Sequence, residues 1–132
     1  MNTPAGTGGN GVGRTLSARY TVEAKDTVGH LVPGMPMVAA TPYLVTIAEI
    51  VCYEICRTMI DPSEITVGAR VEIDHLGASK VGTTLVVDAT LRARERNRFI
   101  FDVTIKDGER TVGKVVHHRA AVAAEKLKAA LG

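Results

Sequence analysis

The sequence predicts an α+β domain in which one long apolar helix is wrapped by a curved, mostly antiparallel sheet. Three observations carry that prediction. The elements run strand, long helix, then four strands. The helix is apolar round most of its circumference, as a helix covered on several sides must be. The strands alternate apolar and polar residues with period 2, so each has one buried face.

The first stretch, Met1 to Gly13, has five glycines and no charged or aromatic residue. It has too little to bury to offset its ordering entropy, so residues 1–13 are expected as a flexible tail and 14–132 as a single domain. No Gly-Lys-Ser/Thr ending follows, which excludes a phosphate loop. Leu16, Ala18, Tyr20 and Val22 then alternate with polar residues and predict a half-buried strand. Asp26 to Ala40 has no clean period and reads as a long loop. Thr41-Pro42 predicts a helix start, with Thr41 as the N-cap and Pro at the first helical position. The helix is expected over Tyr43 to Ile60, ended by Asp61-Pro62-Ser63.

Beyond it, Ile65, Val67, Ala69, Val71 and Ile73 share one parity and are expected to face inward. Leu85 to Ala93 and Phe99 to Ile105 repeat the alternation. Asp107-Gly108 signals a hairpin, and Thr111 to Ala123 reads as a last strand before a short helix over Glu125 to Leu131. This is the pattern of a hot-dog fold. Such a sheet ends in exposed strands, which pairing into a homodimer would cover.

Composition excludes several functions. Sixteen Lys+Arg against fourteen Asp+Glu leave a net charge of +2, too little for a polyanion-binding surface. Aromatics are 4% with no Trp, so a base-stacking platform is not expected. No run of 18 apolar residues predicts a membrane span, and no signal peptide is evident, so a cytoplasmic protein is expected. Cys52 and Cys56 are four apart on one helix face and read as small buried hydrophobes.

Three residues are candidates for chemistry. Glu49 lies mid-helix between Ala48 and Ile50, where apolar surroundings would favour a base or nucleophile. It also shares helical spacing with Thr46, Tyr53 and Arg57, which equally describes a solvated stripe. His75 continues the inward parity of its strand, as a core histidine or a catalyst. Thr41 is a cap, but the helix start also offers N–H donors, near Tyr43, for a developing oxyanion. Thr41 and Glu49 are about 12 Å apart along the axis. His117-His118 alternates faces, so no metal site is expected there. Arg92, Arg94, Arg96 and Arg98 share the parity opposite the apolar residues and read as a solvated face.

With these residues in place, the chain resembles the fluoroacetyl-CoA thioesterase group of hot-dog enzymes over roughly Arg14 to Leu127. The resemblance rests on Thr27-Val28-Gly29-His30-Leu31-Val32-Pro33, on Thr41, Glu49 and His75 at the family's spacing, and on Thr66-Val67-Gly68-Ala69. It also rests on His117-His118-Arg119-Ala120, similar to a His-Glu-Arg-Ala segment with His118 in place of the acid. It implies an acyl-CoA thioesterase with catalytic Thr41, Glu49 and His75. Glu49 would attack the thioester or activate water, Thr41 would assist proton transfer, and His75 would hold and polarise. Gly68 and Arg119 would contact substrate. No cofactor is implied, since coenzyme A enters with the substrate. The three side chains are expected to meet at a subunit interface of a homodimer, or of a dimer of dimers.

The chain departs from the family at Gly34 to Ala40, which is shorter and lacks the lid phenylalanines. That argues against fluoroacetyl specificity and leaves Met35, Met37 and Val38 as an adaptable apolar mouth. Two other readings use the same fold. A non-catalytic acyl-CoA or small-ligand module would not need Thr41, Glu49 and His75. An acyl-CoA hydratase or dehydratase would pair an Asp with a His at the helix entry, a motif absent here.

Overall fold

The computed structural model describes residues 10–132. Five strands form one antiparallel sheet: β1 (Thr15–Thr21), β2 (Glu64–His75), β3 (Thr84–Glu95), β4 (Arg98–Asp107) and β5 (Arg110–Ala123). Their order is β1-β3-β4-β5-β2, which leaves β1 and β2 at the edges. The helices are α1 (Val28–Leu31), α2 (Thr41–Cys56) and α3 (Ala124–Leu131).

Helix α2 touches all five strands, so the sheet curves round it as the apolar belt required. Leu44, Ile47, Ala48, Val51, Cys52, Ile55 and Cys56 are buried. They pack on Leu85, Val87, Ala89 and Leu91 of β3 and on Phe99, Phe101, Val103 and Ile105 of β4. Both cysteines lie in this core, and burial pushes the Cys56 thiol up to about 11 and that of Cys52 upward too. The wrapping is incomplete. Ile50 and Tyr53 stay 43% and 40% exposed on the face turned from the sheet.

The structure revises several sequence expectations. The expected tail divides: residues 1–9 lie outside the described residues, and 10–13 lie against the domain. There Gly13 N–H donates to Leu91 O at 2.8 Å and Gly11 packs beside Met59. A 3₁₀ turn at Ala24–Asp26 leads into the expected loop before α2, and the loop itself contains α1, capped by the Thr27 hydroxyl, which accepts from His30 N–H at 3.2 Å. Four residues, one of them Gly29, with Pro33, Gly34 and Pro36 just beyond, give too little pattern to read from sequence.

Register shifts interrupt three strands, and those in β2 and β3 reverse the parity expected from the sequence. In β2, Gly68 pairs with Arg119 but Arg70 pairs with His118, so Ala69 is the extra residue. Thr66 and Gly68 therefore face α2 before the bulge, rather than Ile65, Val67 and Ala69, while Val71, Ile73 and His75 face it afterwards. In β3, Leu91 pairs with Phe101 but Ala93 pairs with Ile100. This turns Arg94 out of the expected solvated row and onto the Phe99 ring, 4.6 Å from its centroid. The β4–β5 hairpin closes through Gly108-Glu109. Gly108 has φ +60° at the first turn position, as a type II′ turn requires.

Candidate active site

The start of α2 differs from its expected form, and the difference releases a side chain. Ala40, not Thr41, is the N-cap, and no side chain caps the helix. Thr41 is the first helical residue, with Pro42 behind it. Its hydroxyl is thus free to leave the helix, and it bonds His75 Nδ1 at the end of β2 at 2.7 Å. Both residues are exposed rather than buried. The Tyr43 N–H, expected as an oxyanion donor, already donates to Ala40 O at 2.9 Å.

Two turns further along, Glu49 enters a second cluster. The apolar setting expected for it is replaced by a cationic one. Its Oε2 lies 3.4 Å from Arg119 Nη1 and 3.5 Å from His117 Nε2, and its side chain is 39% exposed. Glu49 therefore sits at the border of the solvated stripe and reaches past it toward β5. Gly68 allows that reach. A Cβ built there would stand 2.5 Å from Glu49 Oε2 and 3.4 Å from His117 Cε1, so any side chain would occupy the carboxylate's place.

Arg119 is 6% exposed, and each of its three guanidinium nitrogens has a partner. Its Nε donates to Thr66 Oγ1 and its Nη2 to Thr66 O, both at 3.0 Å, and its Nη1 meets His117 Nε2 at 3.1 Å. The Tyr53 ring lies 5.8 Å from its guanidinium carbon. His117 closes the network through Nδ1, 2.9 Å from Arg70 O. Its pKa is held below the ordinary histidine value, chiefly by burial and then by the Arg119 charge. The Arg70 carbonyl and Glu49 oppose that shift.

Thr41 and His75 thus meet, and Glu49 meets Gly68 and Arg119. Among the described residues no hydrogen bond or ion pair joins the two clusters. His118, which stands where the family has an acid, points to the other face of β5 toward Arg98, 3.4 Å away, and takes no part. Among the described residues no cluster of His, Cys, Asp and Glu is arranged to hold a metal.

A cleft of about 590 Å³ opens beside the start of α2, lined among others by Tyr20, Leu31, Pro42, Tyr43 and Ile50. Met35, Met37 and Val38 do not line it. Met35 and Met37 are exposed, and Val38 is held by backbone pairing with Val28 and Lys80. His117 and Thr66 stand within the motifs that carry the resemblance but were not expected from the sequence as site residues. Their signal was the shared odd parity of His117 and Arg119, usable only once the facing of β5 was known.

Comparison with known proteins places the chain by family and fold. A family profile described as fluoroacetyl-CoA-specific thioesterase matches residues 22–125. The fluoroacetyl-CoA thioesterase of Streptantibioticus cattleyicolor is 31% identical over 124 residues, 89% of each chain. A solved variant of a fluoroacetyl-CoA-specific thioesterase, in complex with fluoroacetate and CoA, is 30% identical. It superposes with a TM-score of 0.81 over 88% of this chain and 98% of that one. A hot-dog-like protein from Thermanaerovibrio acidaminovorans shares the fold at 20% identity, with a TM-score of 0.84 over 91% of this chain and 89% of that one. The fold is therefore a hot-dog fold, and no helix among the described residues is long and apolar enough to cross a membrane. With the profile spanning most of the domain and the S. cattleyicolor enzyme matched along nearly its whole length, the chain belongs to the family of fluoroacetyl-CoA-specific thioesterases.

Proposed function

We propose that this chain hydrolyses the thioester of a short or small acyl-CoA, with Glu49 as the reacting carboxylate. The observation that carries this reading is the placement of Glu49. It is a half-exposed carboxylate on a rigid helix, anchored by a buried guanidinium and facing a strand position kept bare by Gly68. Attack by the carboxylate would form an acyl anhydride and expel the CoA thiolate, and water would then open the anhydride. Alternatively, Glu49 would take a proton from water as it adds to the carbonyl. Thr41 would orient the attacking group and pass a proton, with His75 holding its hydroxyl. Backbone N–H groups at Thr41 or Gly68 would receive the oxyanion. No cofactor is needed, because CoA arrives as part of the substrate.

The reading includes a second copy of the chain. Glu49 lies apart from Thr41 and His75 within one copy, and β2 is an edge strand with Ile65 and Val71 well exposed. A homodimer formed over that edge, or a dimer of dimers, would cover it and bring one copy's Glu49 near the other's Thr41 and His75. A cytoplasmic setting suits two free thiols. The acyl group is assigned as small but not as fluorinated, since the segment before α2 carries no aromatic lid.

Free-thiol release from a panel of acyl-CoAs tests this. Hydrolysis of at least one small acyl-CoA, lost in Glu49→Ala, is expected. No release on any member, or an unaffected Glu49→Ala, would overturn it. Turnover in ¹⁸O water probes the route: label in the Glu49 carboxylate marks an anhydride opened by water at the Glu49 carbon.

A further inference from the structure

Arg119 has one guanidinium nitrogen, Nη1, that serves two acceptors at once: Glu49 Oε2 at 3.4 Å and His117 Nε2 at 3.1 Å. A guanidinium only donates, so His117 Nε2 must accept and must carry a lone pair. The other ring nitrogen faces the carbonyl oxygen of Arg70 at 2.9 Å, which only accepts, so Nδ1 must carry the proton. Both contacts specify one tautomer of the neutral ring. The Arg119 Nε donates to Thr66 Oγ1 and Nη2 to Thr66 O, so the other two nitrogens of the group are both held from β2.

We infer that His117, with its Nε2 lone pair toward Arg119, is a positioning residue that fixes the guanidinium holding Glu49 for reaction. This rests on the reading of Glu49 given above. With the lone pair in place, one Nη1 hydrogen goes to His117 and the other remains for Glu49. A proton on Nε2 would reverse this. It would set an imidazolium against Arg119 and turn an N–H toward Glu49 Oε2, 3.5 Å away, so the carboxylate would change partners. The groups that bear on the ring are Glu49 from α2, the Arg70 carbonyl from β2, and Arg119 and His118 from β5. From β4 it is paired with Phe101, which is apolar. Burial favours the neutral ring and so supports the geometry.

Two variants and one spectrum test the assignment in the full chain. His117→Gln can still donate to Arg70 O and accept from Arg119, but it cannot gain a proton. It is expected to keep the plateau kcat within about threefold, while the acid limb of log kcat against pH loses the slope of one proton. His117→Leu leaves Arg119 Nη1 and Arg70 O short of a partner and is expected to lower kcat roughly ten- to a hundredfold with KM nearly unchanged. Nitrogen-15 NMR of the wild type near neutral pH should report a protonated Nδ1 and a bare Nε2. An acid limb unchanged in His117→Gln, or a proton on Nε2 near neutral pH, overturns the inference. The spectrum does not depend on turnover. A failed thioesterase reading with the expected tautomer, and a working thioesterase with the wrong one, are therefore separate results.

Discussion

The Thr41 hydroxyl lies 2.7 Å from His75 Nδ1, joining the first residue of the long helix to the last residue of an edge strand. The contact exists because Ala40 takes the N-cap position and leaves Thr41 without a capping duty. Thr41→Ala should therefore cost little stability, because no cap is lost, but should lower kcat about 10²-fold if the hydroxyl passes a proton. Thr41→Ser keeps the oxygen and should retain most of the rate. Parallel thermal melts and thiol-release assays on the two variants check both halves of this expectation.

Gly68→Ala should act on Glu49 rather than on the fold. The added Cβ would meet the end of a flexible side chain, 2.5 Å away, so Glu49 would swing aside at small energetic cost. If Glu49 is the reacting carboxylate proposed above, a near-normal melting temperature with kcat reduced at least tenfold is expected, since small displacements of a reacting group are expensive. An unchanged kcat would show that the carboxylate reacts from another position.

Stability should fall on the acid side through His117. Its folded pKa lies below the ordinary value of about 6.5, so below that pH the unfolded chain binds more protons at this site than the folded one. The contribution is complete above about pH 6.5 and is lost as pH falls toward the lowered folded value. Wild type should therefore lose more melting temperature between neutral and mildly acid pH than His117→Gln, in which the site no longer titrates.

The core should be sensitive at Phe101, which is fully buried between strands that flank the site. Phe101→Ala should destabilise by about 3–5 kcal/mol, the range for emptying a large aromatic site. Chemical denaturation with an unchanged m-value would assign the loss to packing.

Much of the architecture was legible in the sequence because burial imposes periodicity. The alternation at Leu85–Leu91 and Phe99–Ile105, the apolar circumference of the helix and the turn glycine at 108 are local signals. Each is repeated in the structure. The inward side of β2 was not legible in the same way. One extra residue at Ala69 reverses parity without changing composition, so Thr66 and Gly68 look like outward positions until the strand is seen paired with β5.

The sequence by itself determined the fold class, and the resemblance pointed to Thr41, Glu49, His75, Gly68 and Arg119 as candidates. Their grouping was decided only by the tertiary structure. Glu49 and Arg119 are 70 residues apart, and Thr41 and His75 are 34 apart. No local periodicity carries information across such separations. What joins Glu49 to Arg119 is the register of β2 against β5, set by a bulge. What joins Thr41 to His75 is that the start of α2, which has no side-chain cap, lies beside the end of β2. The same register aims His117 inward and His118 outward, and so decides which of two adjacent, chemically identical residues can touch Glu49.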